Sequence, residues 1–177
     1  MAQLIIIGTN MITINMIDVG ILDEQGCLSN DYIRTRDFKT IMFPGDVDLI
    51  YVELFCQAQR KLSNKNLNTY IYHDLRSAES GDASPQRDVL APTLSESIGS
   101  LFEDQNRKGV FFKGFLENYY IVAGSPDFMA AFYPVSHTVA DELFVHWMNH
   151  PFHKLEARQR LEALRARYDQ FKYTNSL

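Results

Sequence analysis

Apolar residues dominate the segment from 110 to 135, which the pattern predicts to be the centre of the fold. Its 26 positions hold eight of the chain's 22 aromatic residues. The strong turn signal Gly124-Ser125-Pro126-Asp127 and a weaker one at Glu117-Asn118 divide it into three short strands of an antiparallel meander. Because polar residues scarcely alternate with apolar ones, both faces of the sheet are expected to be covered, by the chain's own helices or by a partner.

Further strands are indicated by other apolar and β-branched runs. They are expected over residues 3–7, 11–17, 32–42 and 67–73. Residues 76–91 have a different character, since they are small, polar and interrupted by Gly and Pro. This composition predicts one long surface loop, mobile between residues 77 and 88.

Helical spacing predicts four helices. Residues 47–62 form the first, after the break at Pro44-Gly45. Thr93 and Glu96 match a capping box ahead of an apolar stripe, and so start the second. In the third, the core-facing residues are expected to be Val139, Leu143 and Trp147. Pro151 separates it from the last helix, over about 152–172.

These elements predict a single α+β domain over residues 1–177, with a mostly antiparallel sheet packed by three to four helices. The composition, 46% hydrophobic and 22% charged, is typical of a soluble globular protein. Cys27 and Cys56 are too few for a disulfide scaffold, which favours reduced thiols. Because the sequence has no recognisable secretory signal or membrane-spanning run, the expected location is the cytoplasm.

Charge is unevenly distributed. Residues 1–153 carry 11 Lys and Arg against 19 Asp and Glu, whereas residues 154–177 carry six against three. The acidic body argues against nucleic acid covering the whole surface. The basic last helix leaves a local contact open, through Arg158, Arg165 and Arg167.

Histidines are concentrated near the C terminus, where a metal site is one hypothesis. Glu142, His146 and His150 are spaced by four residues, so an unbroken helix would direct all three side chains to one side. Pro151 weakens this hypothesis because it is expected to end the helix at His150. Packing or capping is the favoured role for these rings, and no metal or other cofactor is predicted.

A catalytic thiol is a further possibility, with Cys56 activated by His73 and Asp74. Cys56 lies in the middle of a predicted helix between apolar residues, however. Catalytic cysteines usually occupy electropositive, partly exposed positions. A buried structural thiol is therefore favoured, and no catalytic residue is predicted.

The last helix carries an apolar seam with spacings of three, four and three residues. The seam is formed by Leu161, Leu164, Tyr168 and Phe171. It must pack either on the chain's own sheet or on another chain, because two heptads are too short for an independent coiled coil. Its terminal position favours an interface.

The sequence therefore favours a non-catalytic protein that binds another protein, as a regulator, inhibitor or assembly subunit, or that forms a homo-oligomer. The first alternative is a small metal-dependent hydrolase that uses the histidine cluster. The second is a nucleic-acid-binding accessory protein that uses the basic helix.

Overall fold

The computed structural model describes residues 12–74, 76–115, 118–132 and 138–174. Within these ranges, seven strands form one antiparallel sheet, in the order β1-β4-β3-β5-β6-β7-β2, and six α-helices surround it. The predicted α+β class is thus confirmed.

The strands are β1 (Ile12–Asn15), β2 (Lys39–Pro44), β3 (Leu67–Tyr72), β4 (Ser77–Ala83), β5 (Ser100–Asp104), β6 (Gly109–Lys113) and β7 (Tyr119–Gly124). The helices are α1 (Asn30–Thr35), α2 (Leu49–Leu62), α3 (Arg87–Glu96), α4 (Pro126–Phe132), α5 (Thr138–Met148) and α6 (Leu155–Tyr168), and a 3-10 turn (Asp169–Phe171) follows α6. None of the helices in the described ranges is both long and apolar enough to cross a membrane.

The central strands β5, β6 and β7 present apolar side chains on both faces of the sheet. One cross-strand row belongs to what we call the first core: Phe102, Phe111 and Val122. The adjacent row belongs to the second core: Leu101, Phe112 and Ile121. Each fully buried side chain of this size contributes about 1.5–3 kcal/mol, so both faces must be shielded from water.

The first core is covered by α2, α3 and α4. Phe55 of α2 reaches the sheet, where its ring makes an edge contact with Phe111 at a centroid distance of 5.5 Å. The ring of Phe128 in α4 lies 5.5 Å from Phe55 on the other side. Edge-to-face contacts of this kind add to the energy of burial.

The second core is covered by the segment between β1 and β2, which includes α1, and by parts of α5 and α6. Met16, Ile33 and Phe144 are buried there. From α6, Tyr168 is buried and donates a hydrogen bond to the carbonyl of Leu28 at 2.9 Å. Both faces of the sheet are therefore covered by the chain itself.

The strand expected over residues 32–42 is wrong in its first half, where α1 is found. The Ser29 hydroxyl caps this helix by accepting from the N–H groups of Asp31 and Tyr32. Asp37 has a positive φ of 52° and turns the chain into β2. Alternating charges favoured a strand in the sequence, but the cap fixes a helix.

The long surface loop expected over residues 76–91 is also corrected by the structure. Ser77–Ala83 form strand β4, which pairs with β1 on one side and β3 on the other. Of its side chains only Ala78 is buried. Backbone pairing on both sides holds this polar strand in the sheet, so its composition did not reveal it.

The capping box at Thr93 does not start a helix. Thr93 lies near the end of α3, where its carbonyl accepts from the N–H of Ser97 at 2.9 Å. Leu101 and Phe102, which belong to the apolar residues expected to form a helical stripe after Thr93, lie in β5 and face opposite sides of the sheet. The chain is closely packed at Gly99, because a Cβ there would lie 2.8 Å from the Tyr72 ring.

The third strand of the expected meander is helix α4. Ser125 caps it, since its hydroxyl accepts from the N–H of Phe128 at 3.3 Å, and Pro126 occupies the first helical position. The antiparallel meander is instead formed by β5, β6 and β7. Residues 133–135 lie outside the described ranges.

Several other predicted elements are confirmed. They are the strands within 11–17 and 67–73, the helix within 47–62, and the two helices separated by Pro151. The strand expected over residues 3–7 lies outside the described residues. Of the three residues of α5 predicted to face the core, Val139 and Trp147 do pack against it. Leu143 is exposed, and Ala140 and Phe144 are buried instead.

Gly124, at the end of β7, is expected to tolerate no side chain. A Cβ at this position would lie 2.6 Å from Cδ1 of Phe128 and 2.8 Å from the carbonyl oxygen of Lys108. We expect Gly124→Ala to lower the free energy of unfolding by about 1–3 kcal/mol, measured by urea denaturation. The matched control is Gly81→Ala, whose Cβ would meet only the Thr69 hydroxyl at 3.3 Å. Equal losses in both variants would contradict the expected crowding at Gly124.

Candidate interaction surface

The apolar seam of α6 packs on the chain's own sheet. Leu161, Tyr168 and Phe171 are buried and Leu164 is partly buried, all within the second core. Of the two alternatives that the sequence leaves open, the structure therefore shows internal packing, which corrects the assignment of these four residues to an interface with another chain. The terminal position of a helix did not predict its exposure.

The residues of the metal hypothesis are not assembled into one site. Glu142 and His146 are exposed on α5, whereas His150 follows the end of that helix. The His150 Nδ1 atom accepts from the N–H of Phe152 at 3.4 Å, so this nitrogen is already engaged. Among the described residues, no group of three or more His, Cys, Asp or Glu side chains could hold a metal ion.

Arg158, Arg165 and Arg167 all bind acceptors within the chain. Arg158 donates to the carbonyl of His150 at 2.8 Å. Arg165 pairs with Asp141 at 2.7 Å, and Arg167 pairs with Asp23. The basic helix therefore uses these three side chains to hold neighbouring segments of the fold.

The hypothesis of a catalytic thiol is not supported by the positions of its residues. Cys56 is fully buried in the first core, and burial raises the pKa of its thiol to about 12. Its proposed partner His73 lies after β3, where Nε2 is 3.0 Å from a carboxylate oxygen of Glu79. Asp74 accepts backbone hydrogen bonds from Arg76 and Ser77, and these bonds lower its pKa.

One buried polar cluster was missed in the sequence. Glu103 of β5 accepts a hydrogen bond from the Tyr32 hydroxyl at 2.6 Å and lies 3.5 Å from the guanidinium of Arg36. Burial, followed by the nearby Glu103 charge, raises the pKa of Tyr32. These contacts join α1 to the sheet. The available signal was the acidic pair Glu103-Asp104 directly after the apolar Leu101-Phe102 in β5, since a buried carboxylate needs partners.

A small cavity lies between β2, α5 and α6. Its volume is about 30 Å³, and it is lined by polar groups that include Asp141, Arg165 and Lys172. Lys172 and Arg165 both form ion pairs with Asp141, so these three charged groups are paired with one another. A cavity of this volume holds about one water molecule and is far smaller than a ligand pocket, whose volume is at least roughly 300 Å³.

The turn between α5 and α6 and the first residue of α6 carry the two most exposed large hydrophobic side chains of the described residues. Phe152 is 86% exposed and Leu155 is 68% exposed. With Trp147, His150 and His153 they form what we call the turn surface. Exposure of a whole aromatic ring costs hydrophobic free energy in an isolated chain, which is why such side chains are frequent at binding sites.

Stacked rings make the turn surface continuous. The His153 ring stacks on Trp147 at a centroid distance of 3.7 Å, and the His150 ring lies 5.2 Å from His153. Phe152 extends this series, with its ring 5.4 Å from that of His150. Desolvation, followed by the charges of His150 and Arg158, lowers the pKa of His153, which favours the neutral form of this ring.

Backbone hydrogen bonds fix the turn that carries these rings. The N–H of His150 donates to the carbonyl of Trp147 at 3.1 Å, and the N–H of His153 donates to the carbonyl of His150 at 3.2 Å. Arg158 of α6 donates to the same His150 carbonyl from its side chain. The backbone that carries the exposed rings is therefore held in one conformation.

Comparison with known proteins finds no family model, no curated protein and no solved structure that matches this chain.

Substitution of Leu161 by Asp is expected to unfold the chain, because the charge would enter the second core. We expect Leu161→Asp to lower the free energy of unfolding by several kcal/mol, measured by urea denaturation. Ala163→Asp, at an exposed position on the same helix, is the control and should change it by about 0.5 kcal/mol or less. A folded Leu161→Asp variant of unchanged stability would refute internal packing of the seam.

Proposed function

We propose that this chain is a small cytoplasmic protein that works by binding another protein chain, as a regulator, inhibitor or assembly subunit, and that it is not an enzyme. The observation that carries this proposal is the turn surface. There an aromatic ring and a leucine side chain are held largely in solvent by an ordered turn.

The rigidity of the turn supports a binding role. A side chain that is already ordered loses little conformational entropy on association, so more of its burial energy becomes affinity. Large aromatic residues at the centre of an interface commonly contribute most of the binding energy. Phe152 is a large, exposed aromatic residue whose backbone N–H donates to His150, so the backbone that carries the ring is ordered.

The arrangement of polar groups also favours binding over catalysis. The buried carboxylates that we describe are engaged, Glu103 by Tyr32 and Asp104 by Gln59 at 2.6 Å. The thiol of Cys56 is protonated at neutral pH because its pKa is raised. None of these groups lines the small cavity between β2, α5 and α6.

The proposal is tested by native mass spectrometry of the protein purified from its own cells. We expect the wild type to carry another protein chain in a fixed ratio. The double variant Phe152→Asp and Leu155→Asp should lose that chain while it keeps its circular dichroism spectrum, because two charges would have to be buried in the interface.

The matched control is Val19→Asp with Ile98→Asp, which makes the same change in charge at exposed apolar residues elsewhere. This control should keep the bound chain. If both variants keep the bound chain, the turn surface is not the binding site. A wild type without a bound chain that carries stoichiometric zinc or nucleic acid instead would favour one of the two alternative functions.

A further inference from the structure

We propose that the chain bound at the turn surface is a second copy of this protein, in a dimer with twofold symmetry. The turn surface of each copy would meet the beginning of α2 in the other copy. We call the second region the α2 start and define it as Asp46, Asp48, Leu49 and Ile50. This inference rests on the proposed function, which it deepens by naming the partner.

The α2 start offers an apolar counterpart to the turn surface. Leu49 is 50% exposed and Ile50 is 59% exposed, at the first two positions of the helix. Each is a large aliphatic side chain, of the size that packs well against an aromatic ring such as Phe152. Both surfaces are thus formed by adjacent exposed apolar residues with charged residues beside them.

The charges of the two surfaces are opposite. Residues 45–53 contain three acidic residues and no Lys or Arg. Residues 143–160 contain three Lys and Arg and a single acidic residue, Glu156. Lys154 is exposed beside Phe152, and Asp46 and Asp48 are exposed beside Leu49. The opposite charges of Lys154 and of Asp46 and Asp48 favour contact between the two different surfaces over contact between two copies of the same one.

The two surfaces adjoin one another in the fold. Gly45, next to Asp46, lies under the indole of Trp147, because a Cβ on Gly45 would be 3.5 Å from Cδ1 of that ring. The positive φ of Gly45, 85°, also favours glycine there. Trp147 in turn stacks on His153 of the turn surface. The acidic and basic surfaces therefore share a border at Gly45 and Trp147.

This border allows a closed dimer. When two complementary surfaces lie side by side, a twofold axis through their border pairs each surface with its complement in the other copy. Every contact then occurs twice, and both surfaces of each chain are used. Distant complementary surfaces would instead join chains head to tail into rings or filaments.

The inference is tested by sedimentation equilibrium of the purified full-length chain, compared with charge-reversed variants. We expect the wild type to be a dimer at about 0.1 mM, in the affinity range of weak specific interfaces. Lys154→Glu and Asp46→Lys should each raise the dimer dissociation constant about tenfold or more, because each replaces an attraction with a repulsion twice per dimer.

The combined variant, Lys154→Glu with Asp46→Lys, should restore the wild-type dissociation constant to within about threefold, since the charges are then exchanged between the surfaces. Both side chains are exposed. Lys154 is the N-cap residue of α6 but makes no capping hydrogen bond with its side chain, and the N-cap of α2 is Asp48, not Asp46. Thermal denaturation of each variant checks that the fold is retained.

Two results would overturn the inference. One is a wild type that remains monomeric at about 0.1 mM. If native mass spectra then show that the wild type binds a different protein and that Phe152→Asp with Leu155→Asp abolishes this binding, the proposed function still stands, with another partner. The other is a dimer whose dissociation constant is the same in both single variants, or is not restored in the combined variant.

Discussion

The constraint on which this structure depends is that its central strands are apolar on both faces. β6 and β7 each place large side chains alternately into the first and second cores, as Phe111 and Phe112 do. Neither face can be left in water without losing several kcal/mol of burial energy. The chain must therefore supply two covering layers, one from α2, α3 and α4 and one from α1, α6 and the segment after β1.

This constraint also determines which parts of the chain remain for interaction. The seam of α6 and three of its arginines are used to hold the second layer in place. The four exposed apolar side chains on which our proposals rest lie at or next to helix ends. Phe152 and Leu155 follow the end of α5, and Leu49 and Ile50 begin α2. Our proposals for function and self-association rest on these helix ends.

The sequence predicted the fold class and the two-sided sheet because aromatic density carries that information directly. The predictions from sequence were wrong where one local pattern is compatible with two kinds of secondary structure. Leu101 and Phe102 fit both a helical stripe and a strand with both faces buried, and only pairing with β3 and β6 selects the strand. The polar strand β4 was missed for a related reason, since its position depends on pairing with distant residues. The cap at Ser125 was readable in the sequence, but its Pro and Asp also fit a turn.

The candidate site was predicted poorly for a different reason. Spacing identifies an apolar seam but does not say whether it packs within the chain, as Leu161 and Tyr168 do. The four-residue spacing of Glu142, His146 and His150 brings the three side chains together only if one helix carries all of them. Helix α5 ends at Met148, before His150. The exposure of Phe152 depends on the fixed turn after α5, which no local pattern in the sequence specifies.

Native-state hydrogen exchange can test whether both covering layers belong to one cooperative fold. Residues in β6, an interior strand of the sheet, report global unfolding. We expect the amides of Leu161 and Leu164 in α6 to open with the same free energy as those of Phe111 and Phe112. Opening of α6 at a free energy several kcal/mol lower would contradict this expectation, because the second layer would then be a separable attachment and not part of the core.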